Sequence, residues 1–275
     1  MTLSCSMSGP VAMLKIEFLG SGNAAGVPVW GCDCSACKAA QSDPSKRRRG
    51  ASLAIHTDEG VTLVDAGLTD LAERFSFDSV KRILLTHFHM DHVQGLFHLR
   101  WSEQQRSIPV FRPDDPLGAD DLYKHPGVFE FQPPFKAFDS VEWPGFRVVA
   151  LPLIHSRETF GYLISNDCYC MAYLTDTAGL PPDTLSYLQR YPVDDLVLDC
   201  SEPPRESMPR NHNDLNAAFD LWRQSGASRL WLTHISHRLD CWLEHSAATL
   251  PEGVYIARDG MLFEIERGVE TDNDT

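Results

Sequence analysis

The densest chemistry in the chain lies in Thr86-His87-Phe88-His89-Met90-Asp91-His92. Imidazole and carboxylate are the ligands that divalent zinc, manganese or iron prefer. The stretch follows an apolar run at residues 82–86 that reads as a short buried strand. Its side chains therefore leave a strand's C-terminal end, where α/β proteins gather their sites. In an extended turn, His87 and His89 would point to one side while Asp91 and His92 face a second ion. The same arrangement recurs later. His155 follows the run at 148–153, Asp176 the run at 169–174, and His234 the run at 229–232. Each alone would read as structural; together they repeat one pattern of apolar strand, threonine or short turn, then ligand. Two ions about 3.5–4 Å apart can share a hydroxide and stabilise an in-line displacement, so hydrolysis is the expected chemistry.

A second cluster has softer ligands. Trp30-Gly31-Cys32-Asp33-Cys34-Ser35-Ala36-Cys37 supplies three thiols in a C-x-C-x-x-C spacing. They are too close to bridge one another and well spaced for a metal. A closed structural zinc takes four ligands. His237, three residues past His234 and otherwise unemployed, is the natural fourth. Of the other cysteines, Cys168, Cys170, Cys200 and Cys241 lie in apolar or strand-like surroundings and are expected to be buried thiols, while Cys5 is in the N-terminal tail. This is the pattern of a reduced compartment. No resolving C-x-x-C pair follows a thioredoxin-like strand, which disfavours redox catalysis.

The elements that must position these residues follow from the apolar patterning. Strands are expected at residues 13–19, 52–56, 61–65, 82–86, 146–151, 159–165, 169–174, 195–199, 229–233, 254–257 and 261–265. Helices are expected at 68–75, 182–191, 213–225 and 236–248. The stretch 107–143, rich in Pro, Asp and aromatics, reads as the least regular part. Strand-rich halves with interleaved helices suggest sheets packed face to face with helices outside. One α/β domain is expected at 13–266, between a flexible extension at 1–12 and an acidic tail at 267–275; Met13 could serve as an alternative start.

Composition sets the outer bounds. The net charge of −14 opposes broad contact with a nucleic-acid backbone. Only Lys46-Arg47-Arg48-Arg49 runs against it, as a solvated loop or a site for anions. No apolar run approaches the ~20 residues needed to span a bilayer, and no secretory signal is evident. A cytoplasmic protein without membrane or nucleic-acid partners is the default expectation.

H-x-H-x-D-H with a later His, Asp and His at strand ends resembles the metallo-β-lactamase superfamily over essentially the whole structured chain. The resemblance implies an αββα metallo-β-lactamase-fold sandwich with a dinuclear site between the sheets. His87, His89 and His155 would hold one ion, Asp91, His92 and His234 the other, and Asp176 would bridge. Asp65, in Leu63-Val64-Asp65-Ala66-Gly67, matches the aspartate that orients a ligand histidine from behind. The chain is also similar to one branch, the cyclic phosphodiesterases (PhnP) of the carbon–phosphorus lyase pathway of phosphonate catabolism. The stretches that carry this are Gly26–Cys32, His89–Phe97, Asp121–Gly127 and Arg210–Asn216. What the branch implies is cleavage of 5-phosphoribosyl 1,2-cyclic phosphate, a small phosphorylated sugar, to ribose 1,5-bisphosphate. It also implies two catalytic divalent ions (manganese or zinc), one structural zinc and a homodimer. Asp91 and His212 are then the catalytic candidates. His212 would protonate the leaving alkoxide, a task for which an imidazolium near a pKa of ~6.5 is suited; the plainer reading is a histidine beside a helix cap at Asn213. Lys124, His125, Arg205 and Arg210 are unranked partners for the second phosphate.

Three alternatives stand beside this reading. A tRNA 3′-processing nuclease shares the motif, but the acidic charge and the lack of a basic, Gly/Pro-rich arm oppose it. A thiolester or lactone hydrolase is disfavoured by Arg210-Asn211-His212 and by the knuckle. A non-catalytic carrier like the pyrroloquinoline-quinone biosynthesis protein has a similar knuckle, yet the complete ligand set argues against it.

Overall fold

The computed structural model describes residues 14–207, 210–246 and 250–265. The extension and acidic tail expected from the sequence lie outside the described residues. In chain order the elements are β1 (Leu14–Gly20), α1 (Ser35–Ser42), β2 (Ser52–Thr57), β3 (Gly60–Val64), α2 (Leu71–Arg74), β4 (Val80–Leu84), α3 (Met90–Val93), α4 (Leu96–Leu99), β5 (Ile108–Phe111), α5 (Asp120–Lys124) and β6 (Phe129–Phe131). They continue as β7 (Ser140–Trp143), β8 (Phe146–Pro152), β9 (Phe160–Ser165), β10 (Cys170–Leu174), α6 (Pro182–Leu188), β11 (Asp195–Asp199), α7 (Leu215–Ser225), β12 (Arg229–Thr233), α8 (His237–His245), β13 (Val254–Ile256) and β14 (Leu262–Ile265).

The strands form two sheets, ordered β14-β1-β2-β3-β4-β5-β6 and β13-β12-β11-β10-β9-β8-β7. Strand alternation decides what each face buries. Leu14, Ile16 and Phe18 of β1 point inward against Val148, Tyr162, Tyr173 and Val197 of the opposite sheet, making the central core. The outward residues of the first sheet, among them Leu63 and Ile83, pack on Leu71, Val93, Leu96 and Leu122 from α2 to α5. Those of the second sheet, among them Leu196, Leu198 and Leu232, pack on Leu188 of α6, Ala218 and Leu221 of α7 and Leu239 of α8. Four layers result, helix, sheet, sheet, helix, as the resemblance implies.

β3, β4 and β5 run parallel, as do β10, β11, β12 and β13, and β8 is antiparallel to β9, which is antiparallel to β10. The C-terminal ends of β3, β4, β8, β10, β11 and β12 therefore open on one rim. Three of these ends turn through a left-handed backbone at a residue other than glycine: Asp65 (φ 64°), Asp176 (φ 62°) and His234 (φ 59°). Such conformations cost about 1–3 kcal/mol each and cluster at functional sites. Gly67 lets the turn after β3 press on the β4 loop, since a Cβ there would collide with the Asp91 carbonyl.

Four expectations need correction. The helix expected at 68–75 shrinks to α2, because the Asp70 carboxylate at its start binds Arg49 and Arg74 instead of capping the helix. The irregular stretch 107–143 holds β5, α5, β6 and β7, elements too short to show a period. The basic run is solvated only in its first half: Lys46 and Arg47 are exposed, whereas Arg49 pairs with Asp70 and Asp259. Arg48 is buried, its Nε and Nη2 donating to Asp240 at 2.6 and 2.9 Å and its Nη1 to the Ala257 carbonyl at 2.7 Å. Of the four cysteines expected inside, Cys200 is buried, Cys170 and Cys241 are half-buried and Cys168 is exposed. Cys168 sits in the turn between β9 and β10, where Asn166 Oδ1 accepts from its N–H.

Candidate metal centre

The loop after β4 carries Thr86 and His87, and His89 stands in extended backbone just before α3. Asp91 and His92 thus enter a helical turn rather than the extended turn expected. His155 arrives from the end of β8, Asp176 from β10 and His234 from β12. All meet at one point. His89 Nδ1 lies 2.9 Å from His87 Nε2 and 3.1 Å from His155 Nε2. Asp176 stands between these and a second group: its Oδ2 is 3.8 Å from both His87 Nε2 and His155 Nε2 and 3.3 Å from His234 Nε2, and its Oδ1 is 3.4 Å from His92 Nε2. Asp91 Oδ2 lies 3.3 Å from His92 Nε2.

The remaining ring nitrogens are fixed from behind. His92 Nδ1 donates to Asp65 Oδ2 at 2.7 Å. Thr86 Oγ1 stands 3.0 Å from His87 Nδ1 and donates to the same Asp65 oxygen at 2.8 Å. His155 Nδ1 donates to the Asn211 carbonyl at 3.1 Å. His234 Nδ1 donates to Ser201 Oγ at 2.8 Å, which lies 3.2 Å from Asp199 Oδ1. With each outer nitrogen carrying the proton, each inner one offers a lone pair. His92 Nε2 and His234 Nε2 are buried with no hydrogen-bond partner among the described residues. Buried polar atoms are rarely left so, and lone pairs converging on a carboxylate are what divalent cations satisfy. The residues fit a pair of such ions.

Electrostatics agrees with that fit. Burial holds His87, His89 and His155 below the usual imidazole range, which favours the neutral, ligating form. Burial opposes ionisation of Asp176, yet His234, His92 and His87 around it keep its carboxyl well below the ordinary value. Burial likewise opposes the charge on Asp91, and His92 outweighs it. His92 differs from His87, His89 and His155: burial opposes its charge, but Asp176 and Asp65 on either side raise it well above the usual range. A cation binding at its Nε2 therefore displaces a proton, as metal binding to imidazole generally does. Asp65, wholly buried, is raised by desolvation even though His92 and Thr86 pull it down.

His212 joins this cluster. Its ring stacks on His234 at 4.6 Å and lies within reach of Asp176. Its Nδ1 donates to Asp199 Oδ2 at 2.7 Å. Burial alone would lower its pKa, but the Asp199 bond and charge, helped by Asp176 and Asp91, lift it to about 9. It does not stand beside a cap at Asn213: the α7 cap is Asp214, which accepts from the Ala217 N–H. Asn213 instead donates to the Asp199 carbonyl and accepts from the Gly179 N–H.

Sequence reasoning missed Asp199, Ser201 and Arg157. Asp199 ends an apolar strand, the same signal that pointed to His234, so it was legible in principle. Arg157 ties the Phe88 carbonyl to Asp115 and the Gly118 carbonyl, holding the ligand loop against the 115–118 turn. Of the phosphate candidates, Lys124 pairs with Asp120 and Arg205 with Glu202, while His125 and Arg210 are exposed.

At the knuckle, Cys32, Cys34 and Cys37 surround His237 Nδ1 at 3.3, 3.4 and 3.7 Å. Cys34 caps α1 and His237 opens α8, so the cluster joins those two helices. Burial pushes the Cys34 thiol up to about 12, against the hydrogen bond from Cys37. A cation among the sulfurs would reverse that, because a coordinating thiol is deprotonated outright.

A beta-lactamase superfamily domain matches residues 61–235. The octanoyltransferase of Porphyromonas gingivalis is 30% identical over 267 residues, covering 90% of this chain and 51% of that protein. The chain spans about half the length of that curated relative. A solved diphosphatase of the PhnP family is 27% identical with a TM-score of 0.77, covering 92% of this chain and 97% of that one. The zinc-bound PqqB of Methylobacterium extorquens shares the fold at 19% identity, with a TM-score of 0.72 and coverage of 91% and 100%. Among the described residues, no helix is long and apolar enough to cross a membrane.

Proposed function

The chain belongs to the β-lactamase superfamily, and from that premise we propose that it is a metal-dependent phosphodiesterase opening a cyclic phosphodiester. The substrate in this reading is 5-phosphoribosyl 1,2-cyclic phosphate and the product ribose 1,5-bisphosphate. His87, His89 and His155 hold one ion, Asp91, His92 and His234 the other, and Asp176 faces both. When bound, two such ions supply an activated water and neutralise charge on the phosphoryl group. Zinc or manganese suits this His/carboxylate set, and zinc suits the thiolates of Cys32, Cys34 and Cys37 with His237.

The observation that carries the reading is the placement of His212, an imidazole whose Nδ1 lies 2.7 Å from the buried Asp199 carboxylate and whose ring stacks on His234 beside the cluster. A ring-opening diester expels an alkoxide, which needs a proton as it leaves. His212 Nδ1 is engaged by Asp199, so the proton delivered is the one on Nε2. Asp199 orients the ring and stabilises its cationic form.

A second reading is favoured by the likeness to the PhnP-family diphosphatase: the same site would cleave a diphosphate. The test is an assay of metal-reconstituted protein on cyclic ribose phosphates, 2′,3′-cyclic nucleotides, diphosphate esters and nitrophenyl diesters, in wild type and His212→Ala. The cyclic sugar phosphate should be preferred. The variant should lose about 10²–10⁴ in rate on cyclic substrates and far less on nitrophenyl diesters, which leave unaided. Its metal content should stay normal. Equal losses on both substrate types would remove His212 as the acid, and a preference for diphosphates would move the assignment to the second reading.

A further inference from the structure

We propose that Cys241 and Cys34 form an oxidisable pair whose disulfide releases the knuckle metal. This rests on the reading of Cys32, Cys34, Cys37 and His237 as a zinc site. Cys241 lies one helical turn past His237 on α8, so it faces the same way, towards α1. Its sulfur accepts from Ser35 Oγ at 3.5 Å, on the residue next to Cys34, and the Cys34 and Cys241 thiols are close enough to act on one another. Cys32, Cys34, Cys37 and His237 supply the four donors that a structural zinc takes, and Cys241 stands at the edge of that set. His237 contacts the other three sulfurs, which leaves Cys241 as the spare. It is half-buried, within reach of a small oxidant, and Cys34 is the knuckle sulfur beside it.

The oxidant is a hydroperoxide. The Cys241 sulfur attacks its distal oxygen, the O–O bond breaks, and an alcohol leaves (water, from hydrogen peroxide) with a sulfenic acid formed on Cys241. The Cys34 sulfur then attacks the Cys241 sulfur, making the S–S bond and expelling hydroxide, which leaves as water. The two thiols lose two electrons and the peroxide gains them. Cys34 can no longer bind metal, and three remaining ligands do not close a structural site.

The experiment treats zinc-loaded protein with hydrogen peroxide, follows zinc with a colorimetric chelator and maps cysteine pairs by differential alkylation and mass spectrometry. Wild type should lose one zinc per chain as a crosslink between the peptides of Cys34 and Cys241 appears. Dithiothreitol with added zinc should restore both. Cys241→Ser, matched to wild type in melting and zinc content beforehand, should keep its zinc through the same exposure; Cys241→Ala serves if the serine variant misfolds. Zinc loss from the variant as fast as from wild type would overturn the pair, and so would crosslinks only among Cys32, Cys34 and Cys37. If the untreated protein holds no knuckle zinc, the zinc reading fails by itself, and the crosslink still decides the pair.

Discussion

Two buried carboxylates, Asp65 and Asp199, set which imidazole nitrogens face the cluster. Asp65 closes β3 and serves His92 directly and His87 through Thr86. Asp199 closes β11 and serves His212 directly and His234 through Ser201. Replacing Asp65 with Asn should weaken metal affinity about 10–100-fold, measured by titration against a competing chelator, because the orienting acceptor is lost. Asp199→Asn tests the acid. The folded pKa of His212 is raised, to about 9, so its stabilising effect is fully present below the unfolded value of about 6.5 and is lost as pH rises through about 9. The acid form follows the same titration. Bound cations would shift wild type and variant downward alike. Without Asp199 charge, burial dominates, and the alkaline limb of kcat on a cyclic sugar phosphate should move to lower pH. An unmoved limb would mean that another group titrates there.

At the scale of elements, the turn His234–His237 belongs to both candidate metal clusters. His234 ends β12 in a left-handed turn, and His237 begins α8 behind the Ser236 cap. The knuckle thereby joins α8 to α1 just beside His234. Cys34→Ser should release one zinc and lower the melting temperature, with catalytic chemistry qualitatively intact. Rapid reaction of all three knuckle thiols in untreated protein, without chelator, would show that no metal is held there. Arg48 fastens the same region from inside, reaching Asp240 of α8, Ser21 and Ala257. Removing one partner of a buried pair leaves the other charge uncompensated, so Arg48→Met should cost about 3–5 kcal/mol in denaturant unfolding. A loss near zero would mean that water reaches Asp240 and restores its solvation.

At the scale of the molecule, Asp176 stands against both ligand groups, which are drawn from the two facing sheets. Asp176→Ala should lose both ions and nearly all turnover, read by metal analysis; two ions per chain at full activity would sink the dinuclear reading. The sequence by itself determined the histidine and carboxylate types, their place at strand ends and the layering, because a strand's period of two and a short His/Asp motif are local properties. His87, His89, Asp91 and His92 were legible for that reason. The thiol spacing was equally local. What only the tertiary structure decided was convergence: that strand ends from both sheets open on one rim, that Asp199 lies behind His212, and that Arg48 turns inward to meet Asp240. Arg48 and Asp240 are 192 residues apart, and no local pattern encodes a pairing at that distance. Burial then fixes the chemistry, since a guanidinium or carboxylate removed from water must find its partner inside the fold.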